Sequence, residues 1–441
     1  MNEFGKNREF KHLCFLQNKH RMPQIQKSGI PPIAILGSLF FIFGFVTWLN
    51  GTLIPYLKIA CELNNFEALL VAFAFYISYF VMALPSAFVL RKTGFRKGMM
   101  YGLLVMALGA LIFIPAALTR TYGFFLAGLF VIGTGLSILQ TASNPYVTIV
   151  GPIESAARRI SIMGICNKVA GVLAPILLGM VVLSDADILT QELLTMDEIS
   201  REAKLDELAT RVILPYSIMA LILIGLSMMI YFSPLPEIDE VQESENENKS
   251  DSDRTTVTAH PNLVFGVIAL FLYVGAEVIA GDTIGNYGHS QGIPLSEAKY
   301  FTSFTLTAMV IGYLIGIFAI PKYITQSKAL AWSAITGIIF SLIAVNTTGY
   351  TSVLFIALLG LANALMWPAI WPLAIDGLGR HIKTGSALLI MAIAGGAILP
   401  LVYGHLADIP SIGGRSAYWV LIPCYIFILF YSLKGWKIRH W

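Results

Sequence analysis

Charge is scarce in this sequence. Only 12% of its 441 residues are Asp, Glu, Lys or Arg, against roughly a quarter in an ordinary soluble domain. The few charges sit in short segments between apolar runs, so no basic nucleic-acid-binding face can be assembled, and the net charge of +3 points to no acidic partner. Cysteine is scarcer still. Cys14, Cys61, Cys166 and Cys424 are scattered, with no CxxC pair and no His at ligand spacing, so free thiols are expected rather than a disulfide framework or a zinc site. His12, His20, His260, His289, His381, His405 and His440 are dispersed as well. No nucleophile–base set and no metal-ligand set emerges, which speaks against an enzyme and leads us to expect no bound metal and no cofactor. Residues 1–30 are polar and basic and lack the apolar stretch of a cleavable signal peptide.

What is abundant is apolar surface: 56% of residues are hydrophobic and the mean hydropathy is +0.73. Lipid is the solvent that accommodates such a chain, each spanning helix requiring roughly 20 apolar residues. Runs of that length fall at 31–57, 66–90, 98–118, 123–150, 157–183, 212–233, 263–287, 299–320, 328–346, 350–376, 384–408 and 417–434. They are too long for barrel strands and show no period-two alternation. The expected fold class is therefore an all-α membrane protein with twelve transmembrane helices. Lys and Arg orient it. Twelve lie in the loops after runs 2, 4, 6, 8 and 10, nine in the two termini, seven on the opposite side, and Lys168 within the fifth run. By the positive-inside rule both termini are expected to be cytoplasmic. Segment 234–262 is acidic and rich in Ser and Asn, the composition of a flexible linker. It divides the chain into an N-terminal segment 1–30, a six-helix half 31–233, the linker, a second six-helix half 263–434 and a tail 435–441. Segment 184–211 is charged but periodic, and one short helix outside the membrane is expected there.

The halves look related. Gly171, Pro175 and Gly179 of the fifth run match Gly396, Pro400 and Gly404 of the eleventh at an offset of 225, and Gly135-Leu136 falls on Gly360-Leu361 at the same offset. Pro215 and Pro423 match at an offset of 208, the shortfall being what the longer 184–211 segment would cause. Parallel six-helix repeats place a binding site between the halves near mid-membrane.

Polar groups within lipid need a partner or a water-filled cavity. They concentrate on few runs: Asn50 in the first, Gln140 and Asn144 on one face of the fourth, Asn167 and Lys168 in the fifth, Glu277 with Tyr273 on one face of the seventh and Asp282 with Asn286 on another, and Asn363, Trp367 and Trp371 as a stripe on the tenth. Amides offer donors and acceptors in fixed planes and aromatic rings an apolar face, a combination that suits a neutral polyol. Asn50, Gln140, Asn144, Asn167, Lys168, Asn363 and Trp367 are the candidate substrate contacts; Glu277 and Asp282 are the candidates for cation coupling. Each has a plainer reading. Asn144 and Asn167 would bridge helices, Trp367 would pack, and Trp371 would anchor at the interface. Asp282 and Asn286 would sit in water at the outer mouth, Asp376 and Asp408 would be solvated or structural helix ends, and Lys168 and Glu277 would neutralise each other.

The segments FFIFGFVTWLNGTLIPYLK (40–58), LQTASNPY (139–146), GPIESAARRIS (151–161), Cys166-Asn167-Lys168, YVGAE (273–277) and SALLIMAIAGGAILPLVYGHLAD (386–408) resemble the fucose–galactose–glucose:cation symporter family of the major facilitator superfamily, above all its bacterial glucose/galactose members. The likeness runs over about residues 30–435. It implies two six-helix halves working by alternating access, uptake of a monosaccharide as a monomer in the bacterial inner membrane, and Asn50, Gln140, Asn144 and Asn167 at a central cavity. Two departures bear on coupling. The L-fucose permease pattern has Asn-Asp where this chain has Asn50-Gly51, and Glu where it has Gln140; those carboxylates carry proton coupling and substrate contact there. Glu277 is the substitute acid, with sodium or a proton as the coupling ion. An uncoupled facilitator and a sugar sensor that binds without transporting are the alternatives.

Overall fold

The computed structural model describes residues 32–149, 156–233, 260–320, 323–378 and 382–439. The expected N-terminal segment 1–30 and residues 234–259 of the expected linker lie outside the described residues, as do residues 151–155 of the GPIESAARRIS segment; the last linker residues, Pro261 and Asn262, already belong to α7. Twelve helices are long and apolar enough to cross a membrane: α1 (Ile33–Ala60), α2 (Asn65–Ser86), α3 (Lys92–Leu118), α4 (Tyr122–Ser143), α5 (Ile162–Val182), α6 (Glu198–Phe232), α7 (Pro261–Asp282), α8 (Leu295–Ala319), α9 (Gln326–Asn346), α10 (Gly349–Ile375), α11 (Gly385–Asp408) and α12 (Gly413–Lys437). No strand occurs among the described residues. Exposed Leu84, Leu221, Phe232 and Phe318 point away from the core, as the lipid-facing side chains of a membrane bundle must. The face on which α1 begins and α12 ends is called terminal below, and the opposite one distal.

Local chemistry sets the boundaries. Asn64 and Glu67 form a reciprocal capping box that starts α2. Near the start of α3 the helix is interrupted at Gly94, whose φ of 75° is open to glycine at little cost. The segment expected to hold one extramembrane helix holds two, Ala186–Thr195 and Glu198–Thr210, the second running on into the membrane part of α6. Asp197 causes the division: its extended backbone cannot continue a helix, and its side chain caps the next one by accepting from Ser200 N. The pair is fastened to the bundle by Tyr56, whose hydroxyl donates to Leu208 O at 2.7 Å and Ala209 O at 3.0 Å. Arg211 donates to both oxygens of Asp185 and holds that carboxyl below its ordinary range.

Six spans precede Ser233 and six follow His260, and they pack in corresponding ways. A Cβ on Gly44 of α1 would lie 1.8 Å from Asn167 O of α5, and one on Gly395 of α11 would lie 1.8 Å from Phe271 O of α7. Each half thus draws its first and fifth helices to backbone contact, which only glycine permits. One expected match is corrected. Gly135 faces Gly102 and Met106 of α3, whereas Gly360 faces Thr305 of α8; the glycine in the equivalent place is Gly133, against Phe75 and Ser78 of α2. Two glycines two residues apart offer two registers, and only the packing chooses between them.

Candidate functional site

At mid-membrane the two halves meet through charge. Lys168 of α5 donates to Glu277 Oε1 of α7 at 2.9 Å, and both side chains are about nine-tenths buried. The ammonium also lies 4.7 Å from the centroid of the Trp48 ring of α1. Trp48 is wedged between the halves: it lies where Cβ atoms on Gly171 of α5 and Gly281 of α7 would be, at 2.5 Å in each case. A buried pair gains little over an apolar isostere, but removing one partner leaves a stranded charge.

Further hydrogen-bonding and aromatic groups lie on other faces of the two halves. Gln140 Nε2 donates to Tyr79 OH of α2 at 3.1 Å, and Asn167 Nδ2 points to Phe40 O at 3.4 Å, a long contact that leaves the amide available. On the other half Trp367 stacks on Trp371 at 5.5 Å between centroids and lies 6.5 Å from Tyr273, one turn from Glu277. The side chain of Asn144 lies outside the described residues.

Three expectations change. The stripe of Asn363, Trp367 and Trp371 does not form, because the helix breaks at Ala364–Leu365. Asn363 instead is fully buried, its Oδ1 accepting from Tyr425 OH of α12 at 3.0 Å while its Nδ2 has no partner; it lines no open surface in this conformation. Asp282 is not in water: it is 0% exposed and neither carboxylate oxygen has a hydrogen-bond partner. Asn286, by contrast, is half-buried and donates to Asn65 Oδ1 at 3.3 Å. Asn50 does not line an open surface in this conformation either. It is 1% exposed with both amide atoms unpartnered, because α1 lies directly against the second half: a Cβ on Gly51 would come 2.3 Å from Thr302 Oγ1.

A series of hydrogen bonds between the halves runs from mid-membrane to the distal face. Asp408 at the end of α11 accepts from Phe66 N at 2.7 Å, Asn65 N at 3.1 Å and Asn65 Nδ2 at 2.6 Å, capping the start of α2 from across the interface. Asp187 accepts from Leu295 N at 2.6 Å and Ser296 N at 3.1 Å. Burial opposes its ionisation, but these bonds outweigh it and hold the carboxyl below its ordinary value. Lys299 Nζ donates to Leu183 O at 2.7 Å, beside the end of α5, and Ser303 Oγ to Val172 O at 2.8 Å. The distal side is therefore zipped shut. Asp376, on the terminal side, pairs with Arg439 inside its own half.

Tyr79, Trp48, Asp187 and Lys299 were not singled out from the sequence. Tyr79 sits in an apolar run with no distinguishing spacing, and Asp187 and Lys299 read as loop charges. Trp48 alone carried a signal, adjoining Asn50 within a conspicuous segment.

Comparison with known proteins accounts for this arrangement. Residues 36–400 match the Major Facilitator Superfamily. A glucose/galactose transporter of Brucella abortus is 36% identical over 421 residues, 95% of this chain and 97% of that one. The L-fucose-proton symporter of Escherichia coli is 30% identical over 423 residues, 93% and 94% of the two chains. Among solved structures, the transporter FucP in its outward conformation superposes with a TM-score of 0.68 at 28% identity, covering 91% of this chain and 98% of that one. With its twelve spans, two interlocked halves and full-length likeness to these transporters, the chain belongs to the Major Facilitator Superfamily and, within it, to the family of the fucose–galactose–glucose:cation symporters.

Proposed function

We propose that this transporter takes up a hexose of the glucose/galactose type by cation symport, through alternating exposure of a site between its halves. The observation that carries the reading is the central surface. Its charge pair, Lys168 with Glu277, is self-neutralised, and the two halves carry in addition the amides of Gln140 and Asn167 and the rings of Trp367 and Tyr273. An ionic substrate would need an uncompensated counter-charge; a neutral polyol needs paired donors and acceptors and a ring face. The names of the two relatives, glucose/galactose transporter and L-fucose-proton symporter, support both the sugar and the coupling. The terminal face is the cytoplasmic one on the positive-inside argument, which makes the closed distal face external and the membrane the bacterial inner membrane. The protein acts as a monomer within the bilayer.

The test is uptake of radiolabelled glucose, galactose, fucose and N-acetylglucosamine into proteoliposomes under an imposed sodium gradient, a proton gradient, or neither. Accumulation of glucose or galactose under one gradient is expected and names the ion. Equilibration without accumulation would make the protein a facilitator with Lys168 as its internal cation, and no movement of any sugar would reject the substrate class.

A further inference from the structure

Asp282 is the acid this arrangement leaves unexplained. It ends α7 near the distal face, is wholly buried, and has no donor to either oxygen. Its neighbours supply no cation. On its own helix stands Glu277, whose charge Lys168 already balances. From α2 the titratable group within electrostatic reach of both acids is Tyr76. α1 brings Asn50, unpartnered at the same level, since Trp48 and Gly51 of that turn lie against Gly281 and Gly285. The next cation along α1, Lys58, donates to Asn65 Oδ1 at 2.6 Å. From α8 come Thr302, which donates to Gly281 O, and Lys299, committed to Leu183 O. Beyond Asp282, the hydroxyls of Thr283 and Tyr418 bond each other at 2.7 Å, Tyr403 stacks on Tyr418, and Asp408 is committed to the start of α2. Arg415 is exposed.

An ionised carboxylate sealed in such surroundings carries an uncompensated desolvation cost of several kcal/mol; the neutral carboxyl avoids most of it. The surfaces that bury it, α1 and α2 of one half and α7 and α8 of the other, are the ones that must part when the distal face opens. We propose that Asp282 is a proton-binding site loaded from the external side, and that its protonation is the condition for sealing the distal face. The step is the addition of one proton from outer water to the carboxylate as the halves close, and its loss to outer water when they part. The inference rests on the orientation and alternating access proposed above, and not on which sugar is carried. It separates the two buried acids: Glu277 is paired with Lys168 across the interface, and Asp282 is the one whose charge changes with conformation.

The sign follows by linkage. The closed state binds the proton and the open state does not, so the closed-to-open ratio falls as pH rises, at most tenfold per pH unit for a single site. The experiment is a spin-label distance measurement between Thr119 and Thr348, exposed residues of opposite halves on the distal face, in the purified full chain in lipid nanodiscs without sugar, from about pH 5 to about pH 9. In the otherwise unchanged protein the long-distance population should grow with pH. Asp282→Asn should hold the short distance throughout. Should Asp282→Asn not fold, Asp282→Glu serves: it keeps an acid and should keep a response with a displaced midpoint. A pH-independent distance in the unsubstituted chain, an unaltered response in Asp282→Asn, an absent one in Asp282→Glu, or a response that follows sodium at fixed pH would each overturn the proposal. No sugar is read in this assay, so failure of hexose uptake and failure of the Asp282 site are distinguishable.

Discussion

Neutralising either member of the Lys168–Glu277 pair should destabilise the protein, and neutralising both should cost less than the two losses combined. Both side chains are about nine-tenths buried and 2.9 Å apart, the situation in which removing one partner costs about 3–5 kcal/mol because the other is left uncompensated. The two losses are unequal. In Glu277→Gln the ammonium keeps the Trp48 ring at 4.7 Å, and a desolvated cation–π contact returns about 1–2 kcal/mol; this variant should fall at or below the lower end of that range. In Lys168→Met the Glu277 carboxylate keeps the Tyr273 hydroxyl but no cation, and a larger cost is expected. The double variant carries no stranded charge, and the coupling between the sites should be about 2–3 kcal/mol, the upper part of the range for contacting residues. Reversible SDS unfolding of the four proteins, followed by tryptophan fluorescence, closes the cycle. Losses that add within about 0.5 kcal/mol would show that the pair contributes nothing as a pair, and a larger loss for Glu277→Gln than for Lys168→Met would refute the role given to Trp48.

Other consequences are more local. Asp408→Ala leaves the Asn64–Glu67 capping box but removes the cross-interface acceptor at the start of α2, and should favour opening of the distal face by about 0.5–2 kcal/mol, read as faster labelling of cysteines placed at the distal interface. Gly51→Asp, which restores the acid of the L-fucose permease pattern, has no room for its Cβ beside Thr302; it should block distal closure, with Thr302→Gly in the same chain relieving the block, as measured by exchange of labelled hexose. Gln140→Ala and Asn167→Ala should each weaken hexose binding by about 0.5–1.5 kcal/mol, one net hydrogen bond, and unchanged Kd values for both would make these amides structural. The Asp185 carboxyl is depressed, first by its hydrogen bond with Arg211. Its contribution to anchoring the two extramembrane helices is present above the ordinary Asp value and lost as pH falls through the depressed one. Limited acid proteolysis should accordingly begin cutting segment 186–210 only well below about pH 4.

The sequence by itself determined the class and scale of the structure. Twelve apolar runs with few charges leave the backbone no solution but helices, and the basic loops, the 225-residue offset and segment 139–146 were all legible as strings. It also selected Lys168 and Glu277, because a charge inside an apolar run is conspicuous wherever the helix is placed. It left open whether those two charges meet, since they are 109 residues apart and their partnership depends on how α5 and α7 face each other across the interface. Tertiary structure decided what each polar side chain looks at. A break at Ala364–Leu365 turned Asn363 away from the stripe its spacing suggested, the close approach of α1 and α7 shut Asn50 and Asp282 from water, and the cap from Asp408 to Phe66 joined residues 342 apart in the chain. Apolar periodicity reports how much of a helix is buried in lipid and protein together; which of the two covers a given face is set only when the helices pack.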